Sequence, residues 1–102
     1  YFRDPADNQE YLIFTASLAA SNSAHNGAVG IACRSGDGWK LLPPLIHADG
    51  VNNELERAHV VFHKGRYYVF WVTQNSTFAP GLNHAPNGLY GMVADALFGD
   101  YR

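Results

Sequence analysis

Six short runs of β-branched and aromatic residues divide the chain: Tyr11–Thr15 (YLIFT), Ala28–Cys33 (AVGIAC), Trp39–Leu42 (WKLL), Ala58–His63 (AHVVFH), Arg66–Thr73 (RYYVFWVT) and Gly88–Ala94 (GLYGMVA). The segments SGDG, HADG, HKG and APNG between them carry tight-turn chemistry. No window sustains a 3.6-residue apolar period with caps at both ends, so the pattern predicts an all-β chain. With 47% apolar and 14% aromatic residues in 102, the composition is that of a globular protein. A chain of this length is expected to form one domain and to bury roughly 60–70% of its unfolded surface.

Seven basic against nine acidic residues leave a formal charge of −2, which supplies no electrostatic reason for a nucleic acid or an anionic membrane as partner. No apolar run is long enough to span a bilayer, and no basic segment leads into an apolar signal-like core. The lone Cys33 has no internal disulfide partner and reads as a small buried apolar residue, which leaves the compartment open. The chain opens on Tyr1 without an initiator Met and closes on a polar turn, FGDYR, poised to enter another strand. A longer parent is expected.

The halves also resemble each other. RDPADNQEYLIF lines up loosely with RAHVVFHKGRYYVF, VGIA with YGMV and DGWKLL with FGDYR, at offsets growing from 54 (Arg3 to Arg57) through 56 (Tyr11 to Tyr67) to 61 (Gly30 to Gly91). A weak repeat of 50 to 60 residues holding about four strands per unit is the arithmetic of propeller blades. A single β-sandwich with compositionally similar strands explains the repeat equally well. Two blades would not close a ring, so the propeller alternative makes this chain a piece of a larger one.

The chemistry-bearing candidates cluster in Asn53-Glu54-Leu55-Glu56-Arg57. In an extended segment Asn52, Glu54 and Glu56 point one way while Asn53, Leu55 and Arg57 point the other. Two carboxylates on one face repel each other, and an apolar wall beside them desolvates the charge, so both effects favour a proton on one of the pair. A carboxylic acid held neutral near working pH suits general acid catalysis on a glycosidic oxygen. A solvated edge with Arg57 as salt-bridge partner accounts for the same residues. In Arg3-Asp4-Pro5, Pro5 biases Asp4 toward extended backbone and Arg3 offers a planar donor for a carboxylate or a sugar hydroxyl. Taken alone it is a common turn. His59 and His63 lie too far apart along a strand to share a metal. Asn75-Ser76-Thr77 matches a glycosylation acceptor pattern that arises often by chance. The Tyr67, Tyr68, Phe70 and Trp71 run suits carbohydrate stacking or a core.

YFRDP, WKLLPPLIHADGVNNELERAHVVFHKGRYYVFWVTQNSTFAPG and NGLYGMVADALFGDYR closely resemble, in order and over nearly the whole chain, the levansucrases and inulosucrases of glycoside hydrolase family 68. Related invertases typically carry Glu-Cys where this chain has Glu56-Arg57. The resemblance implies a five-bladed β-propeller, of which this chain forms about two blades, residues 1–50 and 51–102. It implies a secreted fructosyltransferase that cleaves sucrose with retention and passes the fructosyl group to water, sucrose or growing fructan. It places the acid/base on Glu56, the transition-state-stabilising carboxylate on Asp4, and substrate contacts on Arg3, Glu54, Arg57 and Gln74. Asp4 and Glu56 are then expected to line one sugar-sized hollow. Gln74 departs from the Arg or His common at its position. The family's nucleophilic Asp lies on an earlier blade, and the segment between RDP and the acid Glu is shortened to SLAASNSAHNG. Asn53 stands where calcium-binding relatives have Asp, so no metal is expected, nor any cofactor. The implied partners are sucrose, fructan acceptors and the remaining blades or a complementing chain. An inactive fragment or carbohydrate-binding remnant is the competing expectation. A propeller glycosidase acting on other furanosides is a third, opposed by Glu56-Arg57 and STFAPG.

Overall fold

The computed structural model describes residues 1–82 and 85–102. Two antiparallel sheets account for its regular structure. The first orders β1 (Phe2–Arg3), β2 (Glu10–Ser17), β3 (Gly27–Ser35) and β4 (Gly38–His47) as 1-2-3-4. The second orders β5 (Glu56–His63), β6 (Arg66–Thr73) and β7 (Gly88–Ala94) as 5-6-7, with a short 3₁₀ turn at Asn75–Thr77. All six expected strands are present. The WKLL run extends through Pro43 and Pro44 to His47, which an edge position allows because the outer side of β4 makes no ladder that a proline would break.

Alternation along the strands builds the core between the sheets. Tyr11, Val29, Ile31 and Ile46 of the first sheet face Tyr67, Val69 and Trp71 of the second, and Leu55 and Leu97 close the ends. Val29, Ile31 and Val69 are fully buried. The β5–β6 connection is a two-residue hairpin in which Lys64 and Gly65 both take positive φ (49° and 80°), the pattern of a type I′ turn.

The internal repeat has a different register from the one the sequence suggests. Phe2 pairs with Tyr11 and Arg3 with Glu10 in the first hairpin, just as Phe62 pairs with Tyr67 and His63 with Arg66 in the second. Gly30 and Gly91 each lie under a phenylalanine ring of the preceding strand, Phe14 and Phe70. Arg3 therefore occupies the place of His63 at a hairpin end. Arg57, with which the sequence aligned it, lies six residues earlier, at the opposite end of its strand. The mismatch arises because β1 has only two residues while β5 has eight.

Candidate functional site

Glu54, Leu55 and Glu56 enter β5 in the expected alternation, with Leu55 buried in the core and both carboxylates half-exposed on the other side. The alternation then breaks. Glu56 pairs with Val72 but His59 pairs with Phe70, so Arg57 and Ala58 share the space opposite Trp71. Arg57 sits in this bulge with a left-handed backbone (φ 53°), unusual for a residue with a long side chain, and its side chain is exposed. Gln74, also exposed, follows β6 immediately at this same end. Glu54, Glu56, Arg57 and Gln74 thus share one end of the second sheet. The Glu54 carboxyl is held above its ordinary range, first by a hydrogen bond to Glu56, then by partial desolvation and by repulsion from the Glu56 charge.

A polar scaffold that no sequence motif marks lies beneath this pair. Asn52 is 1% exposed, and its Oδ1 accepts from the Glu54 N–H (2.8 Å) and the Thr77 hydroxyl (2.9 Å). The buried Thr73 hydroxyl donates to the Glu54 carbonyl (2.8 Å) and lies 3.1 Å from Thr77 Oγ1. From the first sheet, Thr15 Oγ1 donates to the Leu55 carbonyl (3.0 Å) and the Gly27 N–H to the Asn52 carbonyl (2.8 Å). Gly27 presses so close that a Cβ there would stand 2.9 Å from the Asn53 carbonyl carbon. Asn53 itself is exposed, its N–H donating to the Thr77 carbonyl (2.8 Å). The only advance sign of this scaffold is that Asn52 shares the strand face of Glu54 and Glu56.

Asp4 and Arg3 lie elsewhere. Asp4 closes the β1–β2 connection: its N–H donates to the Gln9 carbonyl (2.9 Å), its carbonyl accepts from Asn8 N–H (2.7 Å), and its Oδ1 accepts from Ala6 N–H (3.0 Å). Oδ1 also accepts a 2.5 Å hydrogen bond from the Tyr67 hydroxyl, and both residues are buried. Burial, then this bond to the Asp4 carboxylate, drives the Tyr67 phenol far above its usual range; burial and the Asp4 charge push Tyr101 up to about 12. Tyr67 and Val72, the partner of Glu56, are five residues apart on β6, a separation of about 16 Å at strand rise. Asp4 is thus bonded to β6 at Tyr67, whereas Glu56 pairs with it at Val72, toward the other end of that strand. Asp4 leads directly into the turn at residues 5–7, and Pro5 is the first residue of that turn. Arg3 goes with it, donating to Asn8 and to the Tyr1 hydroxyl and lying 3.7 Å from Glu10 in an exposed cluster.

His59 packs against Phe70 and turns its ring toward the Arg57 carbonyl. Among the described residues no group of three or more His, Cys, Asp or Glu side chains converges as a metal site.

Comparison with known proteins agrees with this architecture. Residues 23–102 match the family described as levansucrase/invertase, and the chain belongs to glycoside hydrolase family 68. It is 35% identical to a levansucrase of Pseudomonas savastanoi pv. glycinea, a match covering 99% of this chain and 30% of that protein. Among solved structures, an inulosucrase from Halalkalicoccus jeotgali bound to kestose superposes with a TM-score of 0.90 at 45% identity, covering 99% of this chain and 28% of that one. A levansucrase from Gluconacetobacter diazotrophicus superposes at 0.89 with 28% identity, over 98% of this chain and 27% of that one. The two sheets are therefore part of a β-propeller, and the chain spans less than a third of the length of these relatives. The Pseudomonas alignment runs over 127 positions against 102 residues here, so that relative carries at least 25 residues this chain lacks.

Proposed function

We propose that this chain contributes the acid/base segment of a secreted fructosyltransferase, its two sheets being successive blades over residues 1–50 and 51–102. Glu56 gives its proton to the glucosyl oxygen of sucrose as the bond to the fructosyl carbon breaks. Glucose leaves, and the fructosyl group is held as an ester on a carboxylate supplied by the rest of the parent, about 5–5.5 Å from Glu56 in a retaining enzyme. Glu56 then takes a proton from water, sucrose or a fructan hydroxyl as that oxygen attacks. Glu54, Arg57 and Gln74 contact the sugars around it.

The observation that carries this proposal is the Glu54–Glu56 carboxylate pair at the mouth of β5, beside a left-handed Arg57, in a chain of this family. Asp4 and Arg3 leave the proposed site, because every observed bond of Asp4 ties it into the β1–β2 turn or to Tyr67. The carboxylate that steadies the oxocarbenium-like centre is then, like the nucleophile, supplied from elsewhere in the parent. The test is Glu56→Gln in the full-length parent, with sucrose consumption and glucose release measured. The expected loss in kcat is about 10²–10⁴-fold with little change in KM. Near-normal glucose release would overturn the assignment. The isolated 102-residue chain is expected to release no glucose from sucrose.

A further inference from the structure

The carboxylate pair does not hold itself in place: β5 begins only at Glu56, and Glu54 precedes the ladder. Its main chain is fixed from below. Asn52 Oδ1 receives the Glu54 N–H and the Thr77 hydroxyl, and Thr73 Oγ1 donates to the Glu54 carbonyl, so both polar groups of the Glu54 backbone end on side chains. The amide orientation of Asn52 is forced, because a flipped amide would set Nδ2 against the Glu54 N–H, donor against donor. Nδ2 is then buried without a partner among the described residues, and a buried donor left unpaired is costly. That cost persists only where the rest of the side chain is needed. Thr77 shares its one hydroxyl proton between Asn52 Oδ1 and the Gln74 carbonyl (2.8 Å), which couples the Glu54 backbone to Gln74.

We infer that Asn52 and Thr77 are positioning residues: they set the Glu54–Glu56 carboxylates and Gln74 in register for fructosyl transfer without touching substrate. The inference rests on the proposed role of Glu56.

Thr77→Val and Thr77→Ser in the full-length parent test it. The valine is nearly isosteric and removes the hydroxyl; the serine keeps it. Thr77→Val is expected to lower kcat about tenfold with KM within twofold of the parent, and Thr77→Ser to restore kcat. A contribution confined to stability would lower the melting temperature of Thr77→Val while leaving kcat unchanged, and that result overturns the inference. Asn52→Ala, assayed at a temperature where circular dichroism shows it folded, is expected to lower kcat further than Thr77→Val. Equal or smaller loss would also overturn it, since Asn52 holds Glu54 directly. Glu56→Gln run in parallel separates the two claims. If it keeps full activity, the acid assignment fails; if it is inactive while Thr77→Val has normal kcat, the positioning role alone fails.

Discussion

Asp4 and Glu56 are both acids next to an arginine at the end of a strand, yet the molecule treats them oppositely. Asp4 is 5% exposed, and its carboxylate is occupied by a main-chain N–H and a tyrosine hydroxyl. Glu56 is half-exposed against a second carboxylate, next to a residue in left-handed backbone. A buried carboxylate bonded twice through Oδ1 by its own fold serves that fold first. Two carboxylates forced together at an open end are an arrangement that folding alone disfavours, and such arrangements gather at sites of chemistry.

The largest expected effect that sharpens this contrast is the kcat loss of Glu56→Gln, set against Asp4→Asn. If the contrast holds, Asp4→Asn keeps kcat within a fewfold of the parent and shows its effect in melting temperature. A loss as deep as that of Glu56→Gln would return Asp4 to the catalytic machinery. Next in size is Tyr67→Phe, which removes the hydroxyl that joins the second sheet to the β1–β2 turn. Leaving the Asp4 carboxylate with one fewer donor in a buried site is expected to cost about 1–3 kcal/mol, read as a lower midpoint in denaturant with unchanged sucrose turnover. A midpoint equal to that of the parent would show that the bond joining the sheets contributes nothing.

Strand content was readable from the sequence because period-two alternation and turn residues are local signals. The carboxylate pair was readable for the same reason: Glu54, Leu55 and Glu56 alternate over three residues, and their environment follows from that spacing. What failed depends on register. Arg3-Asp4-Pro5 and Glu56-Arg57 look alike as strings, but one follows a two-residue strand and the other opens an eight-residue one. Only the pairing of Phe2 with Tyr11 reveals which end of the hairpin Asp4 occupies. The bulge at Arg57 and the Asn52–Thr77 contact, 25 residues apart in the chain, were hidden for a similar reason. No local pattern distinguishes an asparagine that receives a distant hydroxyl from one that ends a turn.

The smallest expected effect sets two glutamates with opposite shifts against each other. Glu10 is held below its ordinary range, chiefly by the hydrogen bond from Tyr1 and then by Arg3 and Arg34, whereas Glu54 is held above it. The folded state with Glu10 binds its proton less tightly than the unfolded chain, so that stabilisation is present above the ordinary carboxylate pKa and is lost as pH falls through the lowered one. For Glu54 the sign reverses. The folded state binds the proton more tightly, so its contribution is complete below the ordinary pKa and is lost as pH rises through the raised one. The two windows lie on opposite sides of about pH 4.3. In melting scans of the full-length parent, Glu54→Gln should gain on the parent as pH rises from 4 toward 7, and Glu10→Gln should gain on it as pH falls below 4. A Glu54→Gln difference that stays constant from pH 4 to 7 would mean that the carboxylates do not share a proton in the folded protein, and the contrast with Asp4 would lose its electrostatic half.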